Sequence, residues 1–202
     1  MLYSDIKRAT LSHLNQFSIA GTPIAASYNN QADYLLRIPF LINEGLVNVR
    51  TFVKPEPVVY QLRGGTDIGG MKRHRLPDGF WSLKTGGVSI VRAGTFQKTN
   101  EYRLQGKQYI LTPADVDGTY TIEYYKYPEL LPATPADDYD LEEDIEVIQA
   151  ATYYAAANLV LHDDPTTYAY LYNDYESRLT RIGPGIRAEV QPVQDAYEFT
   201  GW

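Results

Sequence analysis

LEEDIEVIQAATYYAAANLVLHDDPTTYAYLYNDYESRLTRI, residues 141–182, is the stretch whose periodicity decides the fold. Ile145, Ile148, Thr152, Ala155 and Leu159 fall on one helical stripe with Val147, Ala151 and Tyr154 beside it, so a helix is expected from about Leu141 to His162. Glu142, Glu143 and Asp144 would fill its first turn, where negative charge complements the positive end of the helix dipole. Asp164 and Pro165 restart the chain as N-cap and first helical residue. Tyr168, Leu171, Tyr172, Tyr175, Leu179 and Ile182 then recur at i, i+3, i+4, i+7, i+11 and i+14, the pattern of an amphipathic helix. A joint of two or three residues predicts an antiparallel helical hairpin. Alanines at 150, 151 and 155–157 keep one face of the first helix thin, so another helix can come close.

Upstream of this pair, ELLPATPADDYD at 129–140 reads as a proline-broken linker. From Pro55 to Pro128 the texture changes to short β-branched or aromatic runs, among them PVVYQL, FWSL, GVSIV and TYTIEYY. Glycine pairs at 64–65, 69–70 and 86–87, with Asp78-Gly79 and Asp117-Gly118, supply turn chemistry for a small antiparallel sheet or barrel. YILTPADVDGTYTIEYY alternates apolar and polar on both sides of Asp117-Gly118 and reads as a hairpin.

Toward the N-terminus, residues 4–17 place Ile6, Ala9, Leu14 and Phe17 near helical spacing behind a Ser4 or Asp5 cap. Residues 30–52 carry Ala32, Leu35, Ile38, Ile42, Leu46 and Val49 at steps of three and four, with Pro39 predicting a kink or break near Arg37 and Ile38. The last stretch, GPGIRAEVQPVQDAYEFTGW, has no helical period but holds Ile186, Val190, Val193, Tyr197, Phe199 and Trp202. So apolar a segment reads as an arm that docks on a neighbouring subunit or partner, or packs on its own domain.

The fold class expected is α+β: an antiparallel bundle of about four helices, a small antiparallel β domain inserted between the second and third, and an extended C-terminal tail. The division is 1–53 for the N-terminal helices, 54–128 for the β domain, 129–182 for linker and hairpin, and 183–202 for the arm.

Composition narrows the function. A net charge of -7 lacks the basic excess by which duplex-binding proteins displace counterions. With no cysteine there is no disulfide, thiolate metal site or cysteine nucleophile. No run approaches a membrane span and MLYSDIKRAT lacks the apolar core of a signal peptide, so a chain made soluble in the cytosol, with no membrane contact, is expected. The 18 tyrosines cluster at 124–127, 153–154 and 168–175. Singly they read as half-buried filler; as clusters they suit subunit interfaces, with Tyr153, Tyr154, Tyr168, Tyr170 and Tyr172 as the candidate helix face.

Residues carrying recognisable chemistry are few. His13, His74 and His162 stand in separate elements without metal-ligand spacing, and each reads as solvated or capping. RGGTDIGGMKRHRL at 63–76 invites comparison with a phosphate-binding loop, but Met71 intrudes before Lys72 and no Ser or Thr follows it. Lys72, Arg73 and Arg75 are left as a basic patch on a mobile loop that would touch DNA or an acidic partner, or as a solvated turn. The acidic run from Asp137 to Glu146 lacks the central glycine of a calcium loop and fits helix N-terminal charge better. No catalytic residue, metal or cofactor is expected.

The order of elements, carried by DYLLRIPFLINEGL at 33–46, TYTIEYYKYPELL at 119–131 and EVIQAATYYAAANLVLHDDPTTYAYLYNDYESRL at 146–179, resembles the head–tail adaptor (connector, or gatekeeper-like neck) proteins of tailed bacteriophages. The resemblance implies a structural virion protein, not an enzyme, in the virion neck and assembled in the host cytoplasm. It implies a homo-oligomeric ring, in this class usually a dodecamer, docked on the portal protein and offering a platform to the next neck or tail protein. Packaged DNA would pass through its channel without sequence-specific binding. Two rival classes are a carbohydrate- or receptor-binding tail accessory using Trp81, Phe80 and Tyr60 as a stacking platform, and an enzyme built on a carboxylate pair such as Glu101 and Asp115.

Overall fold

In the computed structural model, which describes residues 1–14 and 28–183, the chain is mixed α and β, with four helices and two antiparallel sheets. Phe17 and the arm residues Ile186, Val190, Val193, Tyr197, Phe199 and Trp202 lie outside the described residues.

Helix α3, Ile145–Val160, is buried on nearly every side, from Val147 and Ile148 through the alanines to Leu159 and Val160. The reason is its position: α1 (Tyr3–His13), α2 (Tyr28–Phe52) and α4 (Pro165–Ile182) each pack against it, while α1 and α2 barely meet. The four helices therefore do not form the expected bundle about a shared axis; three of them surround the third in sequence. Small side chains allow this, since an alanine surface lets neighbouring backbones approach from several directions.

Both ends of α3 correct the expected helix. It begins after Asp144, whose carboxylate accepts from the Glu146 backbone N–H at 2.9 Å, so Glu142 and Glu143 precede the helix. Ile145, expected on the buried stripe, is exposed. Four residues, 161–164, join α3 to α4 where two or three were expected. Asp164 caps α4 by accepting from the backbone N–H groups of Thr166 and Thr167 at 3.1 and 3.0 Å, with Pro165 behind it.

Helix α2 runs on through Pro39, so of the expected kink or break the break does not occur. Ile38, Ile42, Leu46 and Val49 are fully buried on α3. At roughly 1.5–3 kcal/mol each, that burial outweighs a proline cost on the order of 3 kcal/mol. The buried stripe starts at Tyr34; Ala32 and Leu35, expected on it, face outward.

All eight strands fall between α2 and α3 in chain order: β1 (Val58–Gln61), β2 (Thr66–Ile68), β3 (Met71–Arg75), β4 (Phe80–Arg92), β5 (Thr95–Lys98), β6 (Arg103–Gln105), β7 (Tyr109–Pro113) and β8 (Thr119–Lys126). One sheet has the order β1-β8-β4-β5 and the other β2-β3-β7-β6. Leu76 and Ile110 on the second sheet's side meet Val88, Ile90, Tyr120, Ile122 and Tyr124 of the first in one core, separate from the helical core. The hairpin expected around Asp117-Gly118 does not form. β7 and β8 each alternate as read, but they lie in different sheets, and their apolar faces meet across the core instead of pairing edge to edge. Tight hairpins stand elsewhere: Gly69-Gly70, both at positive φ, join β2 to β3 with the two-residue turn that favours glycine.

Two connectors join the β region to the helices. The second is clamped: Asn43 of α2 donates from Nδ2 to the Leu131 carbonyl at 2.8 Å and accepts from the Leu131 N–H at Oδ1, 2.7 Å.

Candidate functional site

The basic run at 72–75 is a strand and not a mobile loop, so its side chains alternate between two faces. Arg73 and Arg75 point outward: Arg73 lies over the Tyr109 ring at 4.7 Å, and Arg75 reaches Asp78 at 3.4 Å. Lys72 and His74 take the inner face, where His74 is buried and its Nε2 stands 3.2 Å from Thr112 Oγ1. His74 is thus neither the solvated nor the capping residue expected. Burial holds its pKa below the ordinary value; the backbone of Gly64 and Arg63 pushes the other way and the Lys72 charge adds to the lowering.

The tyrosines proposed as one helix face separate into different roles. Tyr154 is buried edge-on to Tyr175 at 5.4 Å, and burial, then the Glu44 carboxylate, raise its pKa. Tyr153 is sandwiched: the His13 ring stacks on it at 3.8 Å and the Arg178 guanidinium lies 4.4 Å from its centroid. Tyr168 and Tyr172 are half-buried against the helical core. Tyr170 alone of the five is exposed, at 67%. His13, expected to be solvated or capping, is the last residue of α1, and its pKa is held at about 4 by burial and then by Arg178, against Asp174. His162 is exposed between α3 and α4.

The acidic run is distributed among separate anchors. Asp137 pairs with Lys7 at 2.5 Å, Asp140 with the Met1 amino group at 2.7 Å, and Asp144 caps α3. Glu143 pairs with Arg50 at the end of α2, both side chains about nine-tenths buried. That pair borders a cleft of about 700 Å³ between the two connectors, also lined by Glu56, Lys126, Tyr127 and Glu129. Glu129 is engaged there: Tyr139 donates its hydroxyl to it at 2.9 Å and Glu142 its backbone N–H at 3.0 Å.

The residues named for the rival readings take the following places. Phe80 is buried against Tyr124, Tyr60 packs on the same inner core, and Trp81 meets Tyr127 edge-on at 5.6 Å. Glu101 and Asp115 are exposed, and their charges reach the Tyr120 hydroxyl, raising its pKa behind the larger effect of burial. Among the described residues no three His, Asp or Glu side chains gather as a metal site, and no helix is long and apolar enough to cross a membrane.

What the sequence reading missed is an uncovered apolar pair. Leu36 and Phe40, one turn apart on α2, are 71% and 60% exposed. The signal was present: Leu35, Leu36, Phe40 and Leu41 widen the apolar arc of α2 beyond what one packing face needs. Comparison with known proteins gives no further guide: no family model and no curated protein sequence matches this chain.

Proposed function

We propose that the chain is a structural subunit of a tailed-phage virion, a head-to-tail adaptor that forms a ring in the neck, docks on the portal and carries the next neck or tail protein. The observation that carries the reading is the direct packing of α2 on α3 although every strand of the described residues lies between them in sequence. A helical body closed around a β excursion is the layout of the adaptor class, and the division into helices, β insertion and hairpin follows from it. Leu36 and Phe40 supply an apolar surface that a neighbouring subunit would cover in a head-to-tail ring. Tyr170 supplies a second, amphipathic contact. A net charge of -7 suits a channel through which DNA slides without sticking. The role is assembly, with no catalysis assigned, and assembly takes place in the host cytoplasm.

The test is sedimentation of the purified full chain beside Leu36→Glu/Phe40→Glu. Assembly by the wild type and a folded monomer for the variant support the reading; a wild type that stays monomeric at high micromolar concentration, or a variant that assembles equally well, counts against it.

A further inference from the structure

Net charge sums over a whole chain and hides how its charges are segregated. β3, β7 and β6 are neighbours in the second sheet, and their register sets the outward side chains in rows. Arg73, Leu111 and Arg103 make one row, and Arg75, Tyr109 and Gln105 the next, since partners across an antiparallel ladder share a face. Arg75 and Arg103 are exposed and Arg73 is half-buried. Lys107, exposed in the turn between β6 and β7, lines a recess of about 310 Å³ with Arg75 at the end of the same sheet.

Neither row holds a carboxylate. Asp78 borders the face and pairs with Arg75 at 3.4 Å. Asp67 stands opposite Lys72, on the inner side, and the charges of Glu101 and Asp115 act on the Tyr120 hydroxyl of the other sheet. A chain of net charge -7 thus gathers three arginines and a lysine on one face against a single bordering aspartate. At physiological salt the Debye length is about 8 Å, so a ligand on this sheet meets the local charge more than the sum.

We propose that this face binds the phosphate backbone of nucleic acid, without regard to base sequence, through Arg73, Arg75, Arg103 and Lys107. Sheet geometry sets the cations about 7 Å apart along β3 and about 10 Å apart from β3 to β6, a flat array that a run of phosphates can follow. Guanidinium forks suit phosphate oxygens, and such contacts position a nucleic acid without reading it. Tyr109 lies under the Arg73 guanidinium at 4.7 Å, so the rows offer neither a free ring for stacking bases nor the aromatic anchor that centres a protein interface. The contact is electrostatic, and weak, because few phosphates are reached and the rest of the chain repels them. It does not rest on the ring: the face belongs to one sheet of one chain.

The experiment is fluorescence anisotropy of short DNA duplexes of two unrelated sequences, titrated with the full chain at salt concentrations from about 50 to 200 mM. Equal binding of both is expected, with the logarithm of affinity falling against that of salt at a slope of about -3, the value for three to four neutralised phosphates. Arg75→Gln/Arg103→Gln, at two exposed positions, should weaken binding about tenfold or more and flatten the slope by about two. Arg181→Gln, which removes the same charge from exposed α4, should leave both nearly unchanged. Polyglutamate, titrated in the same way, tests an acidic protein as the occupant instead. No binding at the lowest salt, a slope near zero, or a folded double variant that binds like wild type overturns the proposal. So does a loss in Arg181→Gln equal to that in the double variant, or polyglutamate bound as tightly as the duplexes, which would assign the face to an acidic protein.

Discussion

Gly45 of α2 lies directly on Ala151 of α3: a β-carbon at Gly45 would stand 3.1 Å from both the Cα and the Cβ of Ala151 and 3.2 Å from its carbonyl oxygen. Backbone meets backbone here, and this contact brings the two helices together across the whole β region. Gly45→Val should lower stability by about 2–3 kcal/mol, because overpacking a close contact forces the helices apart. Gly45→Ala should cost less, since a gain of about 1 kcal/mol in helix propensity offsets part of the crowding. Urea unfolding of both variants checks the order; a Gly45→Val as stable as wild type would show that the helices have room to spare.

The Arg50–Glu143 pair fixes the segment before α3 to the end of α2. Arg50→Met leaves a largely buried carboxylate unpaired and should cost about 3 kcal/mol, whereas Arg50→Met/Glu143→Gln should cost less than the sum of the single changes. Additive losses in that double-mutant cycle would mean that the two side chains contribute independently.

The Asn43 clamp on Leu131 predicts a local effect. Asn43→Ala leaves two backbone groups of a buried residue without partners, at a cost of roughly 2 kcal/mol. Hydrogen exchange at the Leu131 amide should quicken while amides in the centre of β8 keep their protection. Unchanged exchange at Leu131 would remove the clamp from the account.

His13 predicts a sensitivity to acid. Its folded pKa, about 4, lies below its ordinary 6.5, so the unfolded chain takes up the proton first. The stability present above pH 6.5 is therefore lost as the pH falls toward 4. Arg178 opposes the charged form and Asp174 favours it, while Tyr153 and Thr152 cover the ring. His13→Gln should flatten the decline of the melting temperature between pH 6.5 and 4; a decline identical to wild type would contradict this.

These contacts mark how much of the molecule its sequence discloses. Periodicity located α4 and its Asp164 cap, and the alanines of α3 announced a close helix approach. Periodicity could not show that three helices crowd onto α3, because an all-round small apolar surface reads the same as a wide stripe. Alternation found β7 and β8 but not their partners: a strand's pattern says which face is buried and nothing about which edge is paired. For the same reason the basic run looked like one patch until β3 divided it, sending Lys72 and His74 inward and Arg73 and Arg75 outward. The acidic run misled because charge near a helix start is legible locally, whereas the partners Lys7 and Arg50 lie far away in the chain.

The adaptor reading is tested most directly by electron-microscopic class averages of the purified full chain, alone and mixed with the portal protein of the same virion. The account predicts a symmetric ring stacked coaxially on the portal. A chain that stays monomeric and leaves the portal undecorated would contradict it.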